Sequence, residues 1–264
     1  MDDAMLRWAL GQVRADALHA ASGADGYGGI GTLGERTLHA AMKYCFEPDP
    51  RFHEIPVEGL VADIAHPSGM VEIQTGSLYP LARKLPVLLR HGPVTVVHPL
   101  SVEKWVRWVD PATGEVTPPR RSPRPDRPSD ALPELFWLRG LLAEPGLRIC
   151  LVRLAVEDYR LKNGRGPDGK KGGARYERIP TAYLGQLTLC GPQDCAALLP
   201  EGLPPVFTAA EFAAASRLCG RRCSAALKLL NDCGILVHTG EKRGRAQLWQ
   251  CLPAAASVGG APNA

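Results

Sequence analysis

The chain has 264 residues, 45% of them hydrophobic and 22% charged, and a formal net charge of +4. That length and composition fit a soluble globular protein of one large or two small domains, and the acidic start without a long apolar run excludes a signal peptide or membrane span as an expectation. The eight cysteines form no CxxC pair, which argues against zinc and suits small buried thiols in a reducing cytoplasm.

Residues 2–20 carry helical spacing of Leu6, Ala9, Leu10, Val13 and Leu18. A Gly-rich break at 23–31 is expected to be mobile. Thr32 then stands as a cap with Glu35 three residues on, a capping-box pattern, and opens a helix to Phe46. Glu-Pro-Asp-Pro at 47–50 ends that helix.

Strands are expected at 52–57, 60–65 and 70–75, the last two joined through Pro67, Ser68 and Gly69. With Pro67 and Ser68 at the tip, cross-strand partners place Ile64 opposite Val71, Asp63 opposite Glu72, and Val61 opposite Gln74. Facing carboxylates repel in a sheet. A bound hard cation such as Mg2+ would offset this. The alternative needs no metal: Ile64, Val71 and Ile73 point inward, and Asp63, Glu72 and Gln74 stand in water.

A helix is expected at 78–89, with Pro80 in its first turn and Pro86 as a kink, and then a strand at 94–98 bounded by Pro93 and Pro99. Further on come a strand at 103–109, an extended Pro- and Arg-rich stretch at 116–128, a helix at 132–142 and a strand at 148–158. The stretch 160–178 is the strongest basic cluster, with Arg160, Lys162, Arg165, Lys170, Lys171, Arg175 and Arg178 among five glycines. A flexible basic loop of this kind fits a phosphate backbone, and equally a solvated hairpin loop without a partner. A strand at 178–189 returns from it.

The rear of the chain has helices at 208–215 and 221–233, the first with a Thr208/Glu211 capping box and the second ended by Gly234. Strands at 235–238 and 247–251 follow, joined by a loop carrying Lys242, Arg243 and Arg245. This is the layout of a winged helix, with Arg221, Arg222 and Lys228 projecting from the second helix toward a DNA groove or a protein partner. The expected domains are 1–31, 32–190 and 203–252, with a disordered tail at 253–264.

From residue 32 to about 100 the order of elements and the acids Glu35, Asp63 and Glu72 resemble the PD-(D/E)XK nuclease-like superfamily. The stretches Gly34-Glu35-Arg36-Thr37-Leu38-His39, Val61-Ala62-Asp63-Ile64 and Glu72-Ile73-Gln74-Thr75 also look like an uncharacterised bacterial group with a nuclease-like front and a winged-helix-like rear. The resemblance implies an α/β (α+β) fold: a restriction-endonuclease-like mixed sheet flanked by helices. It implies that Asp63 and Glu72, with Glu35 or the Ile73 carbonyl, hold Mg2+ or Mn2+ for phosphodiester hydrolysis of a nucleic acid, DNA in the first instance. Gln74 departs from the pattern, which places Lys there to activate water, and Lys84, beside Arg83, is the candidate replacement. His39, one turn after Glu35, could assist, while His66 at the hairpin turn is expected in solvent. Loss of catalysis, leaving a DNA-binding or regulatory module on a nuclease scaffold, is the competing reading, and an unrelated α/β fold is the third.

Overall fold

The computed structural model of the chain describes residues 1–23, 37–162 and 173–252. The chain divides into two compact units: Met1–Gly76, Arg90–Asp126 and Ile149–Thr188 in the first, and Ser77–Leu89, Arg127–Arg148 and Leu189–Ala264 in the second.

The first unit begins with helices α1 (Asp3–Gly23) and α2 (Thr37–Phe46). The Asp2 side chain accepts the Met5 N–H at 2.8 Å and so caps α1. The expected cap of α2, Thr32, and its partner Glu35 lie outside the described residues. Strands β1 (His53–Val57), β2 (Leu60–His66) and β3 (Gly69–Ile73) follow as a meander. The turn between β1 and β2 uses Glu58 and Gly59, both at positive φ (44° and 77°), the signature of a type I′ hairpin turn. Between β2 and β3, His66 pairs with Gly69, Ala65 with Met70 and Ile64 with Val71, which is the register expected from the Pro67–Ser68 tip. Gly69 sits at φ 143°, and a Cβ there would meet the Pro93 carbonyl oxygen at 2.9 Å, so the turn closes only around glycine.

Strand β4 (Val94–Val109) runs parallel to β3, Glu72 lying beside Val96 and Ile73 beside Val97. A parallel pair needs a long crossover, and in chain order the segment that supplies it contains helix α3 (Leu81–Leu88). The two strands expected at 94–98 and 103–109 are one continuous strand. Pro99 removes a single donor but its fixed φ is compatible with extended backbone, so it does not end the strand. The short β5 (Arg120–Arg121) pairs with β4, and β6 (Leu147–Leu161) and β7 (Arg175–Leu189) complete a seven-stranded mixed sheet of order β1-β2-β3-β4-β6-β7.

Helices α1 and α2 bury Leu6, Ala9, Leu38 and Met42 with Ile73, Val97, Cys150, Val152, Leu154 and Val156 in one apolar cluster. Strand β6 is almost continuously buried from Ile149 to Val156, the pattern of a strand covered on both faces.

In the second unit α3 starts at Leu81 rather than 78, with Pro80 as its N-cap and Pro86 inside it. The helix expected at 132–142 is a single α turn, α4 (Leu132–Leu135), between 3-10 turns at Pro128–Ala131 and Phe136–Leu138. Prolines at 128 and 133 lack the N–H donors that a longer helix would use, and the apolar side chains Leu132, Leu135 and Leu138 are nevertheless fully buried. Beyond a 3-10 segment at Pro192–Leu198 lie β8 (Val206–Thr208), α5 (Ala209–Ser216), α6 (Gly220–Asp232), β9 (Leu236–Arg243) and β10 (Ala246–Cys251). The capping box is formed: Thr208 Oγ1 accepts the Glu211 N–H at 3.3 Å and Glu211 Oε2 accepts the Thr208 N–H at 2.7 Å. Strands β8, β10 and β9 form a small sheet in that order. The basic loop expected between 238 and 247 is strand on both sides, and the turn narrows to Gly244 and Arg245, with Gly244 at φ 64°.

Candidate functional site

The site lies where the β2–β3 ladder stops. Above the Ile64–Val71 pair, backbone pairing gives way to side chains. Glu72 Oε1 accepts the Asp63 N–H at 3.2 Å, and Asp63 Oδ2 accepts the Ile73 N–H at 2.7 Å. Each acid thus reaches across to the main chain of the neighbouring strand, and the two carboxylates sit side by side. Glu72 is 2% exposed, which overturns the alternative that placed it in water. Charge-assisted hydrogen bonds to backbone donors offset part of the desolvation cost of that burial.

Helix α2 delivers a third group. His39 Nε2 stands 3.4 Å from Asp63 Oδ2, one helical turn before Lys43 on the same face. Lys43 is buried and its Nζ meets Glu54 Oε1 at 2.8 Å. The β1–β2 register, His53 with Ile64 and Ile55 with Ala62, puts Glu54 in line with Asp63. Glu54, Asp63 and Glu72 therefore form one row of acids across three strands, answered from α2 by His39 and Lys43. Glu54 holds φ at 54°, a strained value for a side-chain-bearing residue. The pair Lys43 and Glu54 was missed in the sequence. The signal for it is the i, i+4 spacing of His39 and Lys43.

Gln74 follows β3 directly. Its backbone N–H donates to the Val97 carbonyl at 2.8 Å, and its carbonyl lies 2.7 Å from His98 Nδ1. Strand β4 thus fixes the backbone of Gln74. Lys84 is half-buried on α3, in the second unit. Glu35 lies outside the described residues. Among the described residues no set of three or more His, Cys, Asp and Glu is arranged to hold a metal ion. The donor set is two carboxylates on adjacent strands, hard oxygen ligands of the kind Mg2+ takes when substrate phosphate and water complete its shell. His66 is exposed at the turn, with Ser68 Oγ 2.7 Å from its Nδ1.

The basic residues divide into those with an ion pair and those without one among the described residues. Arg165, Lys170 and Lys171 lie outside the described residues. Arg175 Nε is 3.2 Å from Asp158 Oδ1, Arg222 pairs with Asp130 at 3.3 Å, Lys228 with Asp232 four residues on, and Arg243 with Glu211 at 2.8 Å. Arg221, Lys242 and Arg245 are exposed on α6 and the β9–β10 hairpin.

This is a mixed α/β sheet protein with a paired-acid site at the end of a hairpin. Residues 36–190 match the DUF8091 family, described as a domain of unknown function, and the chain belongs to that family. A protein of Treponema pallidum (strain Nichols), described as uncharacterized, is 29% identical over 232 residues, covering 85% of this chain and 88% of its own length. No solved structure matches the chain. Among the described residues no helix is long and apolar enough to cross a membrane.

Proposed function

We propose that the protein is a metal-dependent nuclease that hydrolyses phosphodiester bonds of nucleic acid, DNA in the first instance. The observation that carries this reading is the clasp between Asp63 and Glu72, two acids on adjacent strands at the end of the β2–β3 ladder. Neighbouring carboxylates, one of them buried, repel each other, and a cation bound between them offsets that repulsion. Asp63 and Glu72, with Glu35 as the third ligand that the resemblance implies, would hold Mg2+ or Mn2+. The ion would lower the pKa of a bound water and neutralise charge on the scissile phosphate. Gln74, with its backbone fixed by Val97 and His98, orients the water through its amide. His39 steadies the Asp63 carboxylate.

The second unit supports the grip on substrate. The order of helices α5 and α6 before the β9–β10 hairpin supports the winged-helix reading, and Arg221, Lys242 and Arg245 are exposed cations without an ion pair among the described residues. The test is cleavage of plasmid and oligonucleotide substrates with Mg2+ or Mn2+, comparing the native chain with Asp63→Ala. Cleavage that survives the substitution removes the site assignment.

Gln74 favours a second reading, an inactive nuclease fold that binds DNA or a regulatory partner. An amide at that position orients water but adds no charge to the attack. Binding without cleavage under every metal condition selects this reading.

A further inference from the structure

Strand β7 buries an arginine without giving it a partner. Arg178 is 8% exposed, and its Nε is shut off from solvent with no hydrogen bond. Among the described residues its guanidinium forms no ion pair, and its backbone N–H donates to Glu177 Oε1 at 2.8 Å. A guanidinium stays charged in folded proteins, so burial without a partner is destabilising. Burial pulls the Arg178 pKa down, and the positive charge of Arg175 adds to that effect.

The nearby acids are engaged except at one oxygen, Asp158 Oδ1. Asp158, fully buried, binds Arg160 through Oδ2 at 2.8 Å and 3.1 Å, and its Oδ1 has Arg175 Nε at 3.2 Å without hydrogen-bond alignment. Asp126 takes Lys104 Nζ on Oδ1 at 3.1 Å and the Ser101 N–H on Oδ2 at 2.9 Å. Lys104, Arg160, Arg175 and Arg178 thus stand against Asp126, Asp158 and the buried Glu177, four cations to three acids, an excess of one positive charge. All come from the first unit, on β4, β6, β7 and the segment after β5.

We propose that this cluster is an oxyanion site for a phosphate group, with Arg178 as its central donor and Arg175 as the mobile arm. A phosphate supplies the balancing negative charge and acceptor oxygens that fit the fork of the Arg178 guanidinium, whose Nε no protein oxygen reaches. The imperfect Arg175–Asp158 contact is the one that turns toward the ligand. The site goes beyond the hydrolytic reading and does not use Asp63 or Glu72. The shared chemistry is phosphate, and its source is either a nucleic-acid backbone or a free phosphate.

The test is calorimetric titration of the full chain with inorganic phosphate, for the native protein, Arg178→Met and Arg178→Lys. Thermal melts in phosphate-free buffer run alongside. The native chain binds phosphate and its Tm rises with phosphate. Arg178→Met loses at least about tenfold in affinity, the scale of one charge-assisted fork. Its Tm without phosphate equals or exceeds that of the native chain, because an unpaired buried charge has gone. Should Arg178→Met fail to fold, Arg178→Lys keeps the charge without the fork and binds phosphate more weakly than the native chain. Equal phosphate affinity in the native chain and a folded variant, or none in the native chain, overturns the proposal. An oligonucleotide without terminal phosphates that competes with phosphate assigns the site to a nucleic-acid backbone, and failure to compete assigns it to free phosphate. Asp63→Ala leaves phosphate binding intact, so loss of the nuclease reading and loss of this one are read separately.

Discussion

Glu72 Oε1 accepts the main-chain N–H of Asp63 at 3.2 Å, and Asp63 Oδ2 reaches past Glu72 to the N–H of Ile73 at 2.7 Å. The two acids therefore do the work of ladder hydrogen bonds at the point where β2 and β3 separate. Structure and chemistry at Glu72 are separable on this basis. Glu72→Gln keeps an acceptor oxygen for the Asp63 N–H but removes the charge. It is expected to retain the native Tm and to lower cleavage about a hundredfold or more. Glu72→Ala leaves a backbone donor unsatisfied and costs about 1–3 kcal/mol besides. Thermal melts and cleavage rates on both variants check this. A Glu72→Gln protein that melts early would show that the charge itself is structural.

Helix α5 depends on its capping box. Thr208 accepts the Glu211 N–H, and Glu211 accepts both the Thr208 N–H and its hydroxyl, the latter at 2.9 Å. Thr208→Ala is expected to cost about 1 kcal/mol in urea unfolding of the second unit. Thr208→Ser retains the hydroxyl and stays close to the native value.

Glu157 on β6 receives a two-pronged contact from Arg107, Nε at 2.9 Å and Nη2 at 3.0 Å, and the Tyr159 hydroxyl at 2.7 Å. The Arg107 guanidinium holds the Glu157 carboxyl below its ordinary value of 4.5, against the opposing effect of burial. A depressed carboxyl pKa contributes stability that is fully present above 4.5 and is lost as pH falls through the lower folded-state value. The native Tm should therefore fall more steeply below pH 4.5 than that of Glu157→Gln. Parallel slopes in melts across that range would remove the pair from the acid response.

Thiol reactivity should split by burial. Cys190 and Cys219 are exposed, whereas burial pushes the Cys45 thiol up to about 12. Thiolate is the reactive form, so Cys45 is expected to stay unmodified by a thiol reagent until the first unit unfolds. Cys190→Ser with Cys219→Ser removes the fast phase. Rapid labelling of Cys45 in the native protein, read by mass spectrometry, contradicts its burial in the sheet–helix cluster.

The hairpin was legible because its information is local. Alternation on both arms, with Pro67 and Ser68 between them, sets the register, and one residue of slip would exchange core and solvent faces. The Thr208 and Glu211 pair was legible for the same reason: a cap needs only residues three apart. Strand β4 was not. Pro99 reads as a terminator, yet β4 runs on past the end of β3 beside β6, and at its far end the Val109 carbonyl accepts the Lys162 N–H. The helix expected at 132–142 was also misjudged, since Leu132, Leu135 and Leu138 are buried as well by 3-10 turns as by a regular helix.

The amino-acid sequence by itself determined which residues face each other at the site, Asp63 and Glu72, and the order of helix, meander, helix and strand around them. Those follow from period, turn chemistry and caps, all of which act over a few residues. Only the tertiary structure decided that Glu72 is buried, that His39 and Lys43 of α2 answer Asp63 and Glu54, and that Arg178 lies among charges already paired. Burial and pairing depend on which distant strands and helices meet, and a buried charge is set by its neighbours in space.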